Sequence, residues 1–235
     1  MSEGPNALAR RIAEWMVGRL RATDGAAMVA LSGGSTPKLL YTLLATPEFA
    51  GQVPWDRVHW CWGDERFVPP EDPSSNYRMA HEAMLRHVPV PADHVHPIPT
   101  TGLSPAAAAA VYEQTLRELH GSGDLSRPLF DIVLLGLGTN GHFASLFPET
   151  ASLTERTAWA TDVTPAGEKT RITLTYPALE SCNHAAFLVA GADKRDVLAR
   201  VRAGQDDLPA SHYRPRGELH WFADDAAAGS GAAGP

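Results

Sequence analysis

His142 ends the run Asp131-Ile132-Val133-Leu134-Leu135-Gly136-Leu137-Gly138-Thr139-Asn140-Gly141-His142, in which an apolar segment passes through a glycine-rich turn to one imidazole. A short apolar run closed by glycine reads as a strand buried on both faces, as in a parallel sheet. Ligands of open α/β sheets bind beyond the carboxyl ends of such strands. The glycines, Gly138 among them, remove side-chain bulk where a ligand needs room. At an ordinary pKa of about 6.5, roughly three-quarters of such imidazoles are neutral at pH 7, able to take a proton from water and later return it. The chain has no G-x-S-x-G nucleophile elbow, so water is the expected nucleophile.

Two other loops carry groups capable of chemistry. Ser32-Gly33-Gly34-Ser35-Thr36 is neither a Walker A loop nor a G-x-G-x-x-G fingerprint. It offers close backbone approach at Gly33 and Gly34, hydroxyls at Ser35 and Thr36, and the unpaired N–H groups of a helix start. Such an end favours an anion by about 0.3–1 kcal/mol from its dipole alone. The same glycines also suit a plain tight turn. In the loop Gly63-Asp64-Glu65-Arg66, the Arg66 fork can hold a phosphate or carboxylate. Asp64 or Glu65 can accept hydrogen bonds from sugar hydroxyls or steady an imidazole; the alternative is a solvated charged loop. His94 and His96 could chelate a metal, but no third ligand accompanies them in their proline-rich segment, and no metal site is assigned.

The elements that must position these loops follow from periodicity and caps. Asn6 to Arg21 reads as an amphipathic helix and Ala26 to Leu31 as a buried strand. Thr36 as N-cap and Pro37 as first helical residue open a helix that runs through Leu44. Arg57 to Trp62 is a second strand. Ser75 caps a helix from Asn76 to about His87, and Ser104-Pro105 starts an alanine-rich helix to Leu119. Phe130 to Leu135, Arg171 to Thr175, Ala185 to Ala190 and Glu218 to Phe222 read as strands, with Asp193 to Arg202 helical. Residues 1–225 are expected to form one α/β domain, a mostly parallel Rossmann-like sheet with helices on both faces in three layers. Ala226 to Pro235, alanine and glycine without apolar periodicity, reads as a disordered tail.

Bulk composition narrows the partners. A formal charge of -7 over 235 residues speaks against a nucleic-acid-binding face, though not against one bound phosphate. No run approaches the ~20 apolar residues that span a bilayer, and the amino terminus lacks a basic and hydrophobic signal, so no membrane partner is expected. Cys61 and Cys182, with no Cys-x-x-Cys spacing, fit a reducing cytoplasm.

Taken in order, the three loops resemble the 6-phosphogluconolactonase family over nearly the whole chain, from about Leu8 to Ala228. The residues carrying the resemblance are Leu31 to Pro37, Trp62 to Pro69 with Ser75-Asn76-Tyr77, and above all Gly136 to Pro148. Arg171 to Thr175 and Leu208 to Ser211 add to it. The resemblance implies hydrolysis of 6-phospho-D-glucono-1,5-lactone to 6-phosphogluconate in the oxidative pentose phosphate pathway, without a cofactor; monomer and homodimer both stay open. It implies that Gly33, Gly34, Ser35 and Thr36 hold the phosphate with Arg171 and Lys194. Arg66 then contacts substrate and His142 activates water. Lys194 also fits without the resemblance, since an ammonium and a helix start can share one phosphate. Backbone N–H groups of the glycine turn, or Arg66, are the expected donors to the developing oxyanion.

Family members commonly carry an acidic residue where Asn140 stands here. Asn140 can still accept from a ring N–H but brings no charge, so either the amide suffices, Asp64 or Glu65 supplies the charge, or turnover is reduced. Glucosamine-6-phosphate deaminase/isomerase is a second expectation, weakened because that family resembles Asp-Gly-His then Phe-Asn-Glu-Pro, against Asn140-Gly141-His142 then Ser145-Leu146-Phe147-Pro148. A sugar-phosphate sensor is a third. It is weakened by the charge and by the short segment before Asn6, which leaves no room for a DNA-binding helix pair.

Overall fold

The computed structural model describes residues 4–205 and 207–229. In chain order the helices and strands are α1 (Pro5–Ala22), β1 (Ala27–Leu31), α2 (Ser35–Leu44), α3 (Pro47–Ala50), β2 (Val58–Trp62), β3 (Asp64–Arg66) and α4 (Asn76–Ala83). There follow α5 (Pro105–His120), β4 (Phe130–Leu135), β5 (Ala160–Val163), β6 (Arg171–Leu174) and α6 (Tyr176–Glu180). The chain continues through β7 (Cys182–Val189), α7 (Arg195–Arg202), β8 (Glu218–Ala223) and α8 (Asp225–Ala228).

Five strands form one parallel sheet in the order β2-β1-β4-β7-β8. β1 is buried at every position, and β4 at every position but Asp131. Asp131 is satisfied on both sides: its carboxylate accepts from Met28 N at 2.8 Å and from Asn183 Nδ2 at 3.1 Å. From β1 the chain moves outward to β2, whereas from β4 it moves the other way, to β7 and β8. The β1/β4 boundary is therefore the switch point, and the loops leaving these two strands diverge around one crevice.

A second, antiparallel sheet in the order β3-β6-β5 was not expected. The Asp64-Glu65-Arg66 loop is in fact strand β3, paired with β6 so that Arg66 lies opposite Arg171 and Asp64 opposite Thr173. The ladder is set by the partner strand, because the triplet carries no strand pattern of its own.

Tyr41, on α2, bridges the end of β1: its hydroxyl accepts from Ser32 N at 2.9 Å and donates to Ser32 O at 2.8 Å. Tyr112, on α5, does the same for Trp62 at the end of β2, both contacts being 2.8 Å. Both tyrosines are fully buried.

Several boundaries differ from expectation. α2 starts at Ser35 with Gly34 as its cap, not Thr36. Gly34 holds φ 107°, a turn that favours glycine, and Pro37 falls on the third helical position, where its missing N–H costs no intrahelical bond. Ser75 does cap α4, accepting from Arg78 N at 3.0 Å, but the helix ends at Ala83 and a 3₁₀ turn covers Leu85–His87. Lys194 belongs to a 3₁₀ turn ahead of α7. The start of the expected tail is ordered: α8 is capped by Asp224 and buries Ala227. The rest of that expectation, 230–235, lies outside the described residues. Among the described residues no helix is long and apolar enough to cross a membrane.

Candidate active site

The crevice at the switch point is lined by the α2 start (Gly33 to Pro37), by Asp64, Arg66 and Asn76, by Gly138 and His142, and by Arg171 and Lys194. Ten of the eleven residues singled out from sequence thus face one cleft. Asn140 does not line it; it stands behind the imidazole, on the exposed side of the turn.

Gly138 and Gly141 build the turn that presents His142. Gly138 N donates to His142 O at 2.8 Å, and Gly141 N, at φ 78°, donates to Gly138 O at 2.9 Å. These two N–H groups are spent on the turn itself, so they are not free for an oxyanion. A Cβ on Gly138 would fall 2.0 Å from His142 Nδ1. Glycine is what lets the ring lie against the backbone here. Phe147 stacks on the imidazole at a centroid distance of 4.2 Å and also carries the Arg171 guanidinium, 5.2 Å from its centre.

Asn140 Oδ1 lies 2.6 Å from His142 Nδ1. An amide oxygen only accepts, so Nδ1 carries the proton and Nε2 keeps its lone pair. Burial pushes the imidazole pKa down to about 4; Asp64 pulls it up, while Arg171 and Lys194 push it further down. The ring is therefore neutral at pH 7, more completely than an ordinary histidine.

The two acids of the β3 segment have separate duties. Glu65 is buried and serves the scaffold, accepting from Arg66 N, Asn76 N and Tyr77 N, each at 2.7 Å, and from Ser75 Oγ at 2.9 Å. Burial pushes its carboxyl up and these donors work against that shift. Asp64 faces the cleft: its Oδ2 accepts from Ser145 Oγ at 2.6 Å and lies 3.9 Å from Arg171 Nη1. Asp64 and, more weakly, Glu168 are the carboxylates whose charge reaches His142; Glu65 is not one of them.

Asn76 ties the acidic loop to the glycine loop. Its Nδ2 donates to Asp64 O at 2.9 Å, its Oδ1 accepts from Arg66 Nη1, and a Cβ on Gly33 would sit 2.0 Å from that oxygen. Arg66 Nη1 also donates to Ser74 O at 3.0 Å. Arg171 Nη2 pairs with Glu168, and Lys194 Nζ lies 3.4 Å from Asp193 Oδ2. Asn76, Ser145 and Glu168 were not among the candidate site residues. Asn76 and Ser145 lie within the motifs that carried the family resemblance, whereas nothing in sequence marks Glu168.

The family model for glucosamine-6-phosphate isomerases/6-phosphogluconolactonase matches residues 3–221. The chain belongs to this family. A 6-phosphogluconolactonase of Nostoc sp. is 46% identical over 207 residues, covering 87% of this chain and 84% of the relative. One of Synechocystis sp. is 41% identical over 209 residues, covering 88% and 85%. The solved 6-phosphogluconolactonase from Trypanosoma cruzi superposes with a TM-score of 0.85 at 29% identity, covering 99% of this chain and 96% of that one.

Proposed function

We propose that this chain hydrolyses 6-phospho-D-glucono-1,5-lactone to 6-phospho-D-gluconate, the lactonase step of the oxidative pentose phosphate pathway. The observation that carries the reading is the 2.6 Å Asn140–His142 contact, which leaves Nε2 unprotonated in a cleft shared with the α2 start and three cations. The phosphate sits at the backbone N–H groups after Gly34, with Ser35 and Thr36 hydroxyls and Lys194 completing its partners. That anchor directs the lactone carbonyl toward His142. Nε2 removes a proton from water as the water oxygen attacks C1. Arg66 is the donor to the carbonyl oxygen, since the N–H groups of Gly138 and Gly141 are used within the turn. Collapse breaks the bond from C1 to the ring oxygen, and the imidazolium returns its proton to that oxygen. Asp64 stabilises the transient positive charge.

The reading is tested by hydrolysis of freshly made lactone by the wild type and His142→Ala. A 10²–10⁴-fold loss in kcat/KM is expected for removal of a general base. Unchanged kcat/KM would remove His142 from the role. Ammonia release from glucosamine 6-phosphate by the wild type would instead favour the deaminase relatives of the fold.

A further inference from the structure

Away from the cleft, β7 and β8 bring together His184, Glu218 and His220, whose ligating atoms all lie within 4.8 Å of one another. Register explains the grouping. His184 pairs with Glu218 and Ala186 with His220, while Glu218 and His220, two apart in one strand, share a face. The three residues lie in the amino-terminal halves of these strands, whereas the cleft takes Leu188 to Ala190 near the carboxyl end of β7.

Glu218 Oε2 lies 3.6 Å from His184 Nδ1 and 3.2 Å from His220 Nε2. Both ring nitrogens are buried, yet neither makes a hydrogen bond of good geometry among the described residues. The two ring nitrogens thus stay uncommitted within reach of the Glu218 carboxylate, as ligands to a common centre must be. Two ligands on a tetrahedral ion at about 2.0–2.1 Å are themselves about 3.3 Å apart, near the spacings here. Trp15, on α1, walls the group, its ring 4.9 Å from that of His220 and 6.2 Å from that of His184.

We propose that His184, Glu218 and His220 form a binding site for a divalent transition metal of the zinc class, on the opposite end of the sheet from the cleft. Two imidazoles and one carboxylate suit zinc better than magnesium or calcium, which prefer all-oxygen sets. The fourth position belongs to water. Two other charges face the group. Asp131, on β4, favours a cation near His184. Arg19, on α1, opposes it, with Nη2 3.2 Å from Glu218 Oε2. Its long, part-exposed side chain must swing aside, so the site binds with moderate affinity and joins β7 and β8 less tightly than a dedicated structural zinc.

Calorimetric titration of the tag-free chain with zinc chloride tests this, with thermal unfolding followed in parallel. One ion per chain is expected, raising Tm. Glu218→Gln, an exposed change that does not threaten folding, and His220→Gln each weaken binding about tenfold or more. Arg19→Ala tightens it several-fold, and His142→Ala leaves it unchanged. Absence of zinc binding, equal binding by Glu218→Gln and His220→Gln, or loss of binding in His142→Ala overturns the proposal.

Discussion

Asn140 and His142 meet at 2.6 Å across one tight turn, the amide oxygen of the first facing the Nδ1 proton of the second. The contact sets the tautomer without adding charge, which separates orientation from electrostatic support in a way an acidic residue could not. Asn140→Asp keeps the geometry and places a negative charge against the ring. A nearby opposite charge favours the protonated imidazole, so its pKa rises by about 1–3 units. The acid limb of kcat/KM then moves to higher pH, which pH–rate profiles of the two proteins read directly. Asn140→Ala, which frees the ring to change tautomer, lowers kcat more than it raises KM.

The wild-type acid limb of kcat/KM is expected near pH 4, where burial has moved His142, and not at the ordinary 6.5. The sign of the substrate effect follows from the neighbours. Arg171 and Lys194 push the pKa down. A bound phosphate dianion cancels part of their charge, so the pKa in the complex is higher and the acid limb of kcat lies above that of kcat/KM. Coincident limbs at the ordinary histidine value would contradict this.

Gly33→Ala puts a methyl group where Asn76 Oδ1 now sits. Asn76 is held by Asp64 and Arg66, and the loop on either side of Gly33 by Tyr41 and Lys38, so the overlap is relieved by displacing both. Displacement of the phosphate donors by about 1 Å is worth 10–100-fold, seen mainly in KM. Steady-state kinetics against fresh lactone measure it.

Ser145→Ala removes the 2.6 Å donor to Asp64 Oδ2, leaving a buried carboxylate oxygen short of a partner. The expected cost is about 2 kcal/mol of stability. Urea unfolding gives the value, as a lower midpoint at unchanged slope.

Much of this was legible in sequence, for reasons visible in particular residues. β4 has the bounds read for it, Phe130–Leu135, because an apolar run stops at Gly136 and burial on both faces leaves no other outcome. Ser75 and Ser104 cap where their spacing says, each accepting from the N–H three residues on. Thr36 misled because cap preference is weaker than the φ 107° at Gly34. β3 and β5 were unreadable as strands of a second sheet: Asp64-Glu65-Arg66 and Ala160-Thr161-Asp162-Val163 lack apolar alternation, and both owe their conformation to β6. That second sheet is also what carries Asp64 and Arg171 to the cleft, so the division of labour between Asp64 and Glu65 could not be read from their adjacency. His184 and His220, separated in sequence, meet only through the register of β7 with β8.

The paired phenols of Tyr41 and Tyr112 have a consequence for the backbone where β1 and β2 end. Each satisfies, with a single oxygen, the N–H and the C=O at the point where a strand leaves the sheet. Neither backbone stub is left seeking a partner where its strand ends. Two phenols rising from the hydrophobic interior thus leave the cleft-lining backbone at Ser32, and its neighbour at Trp62, with no unmet polar demand.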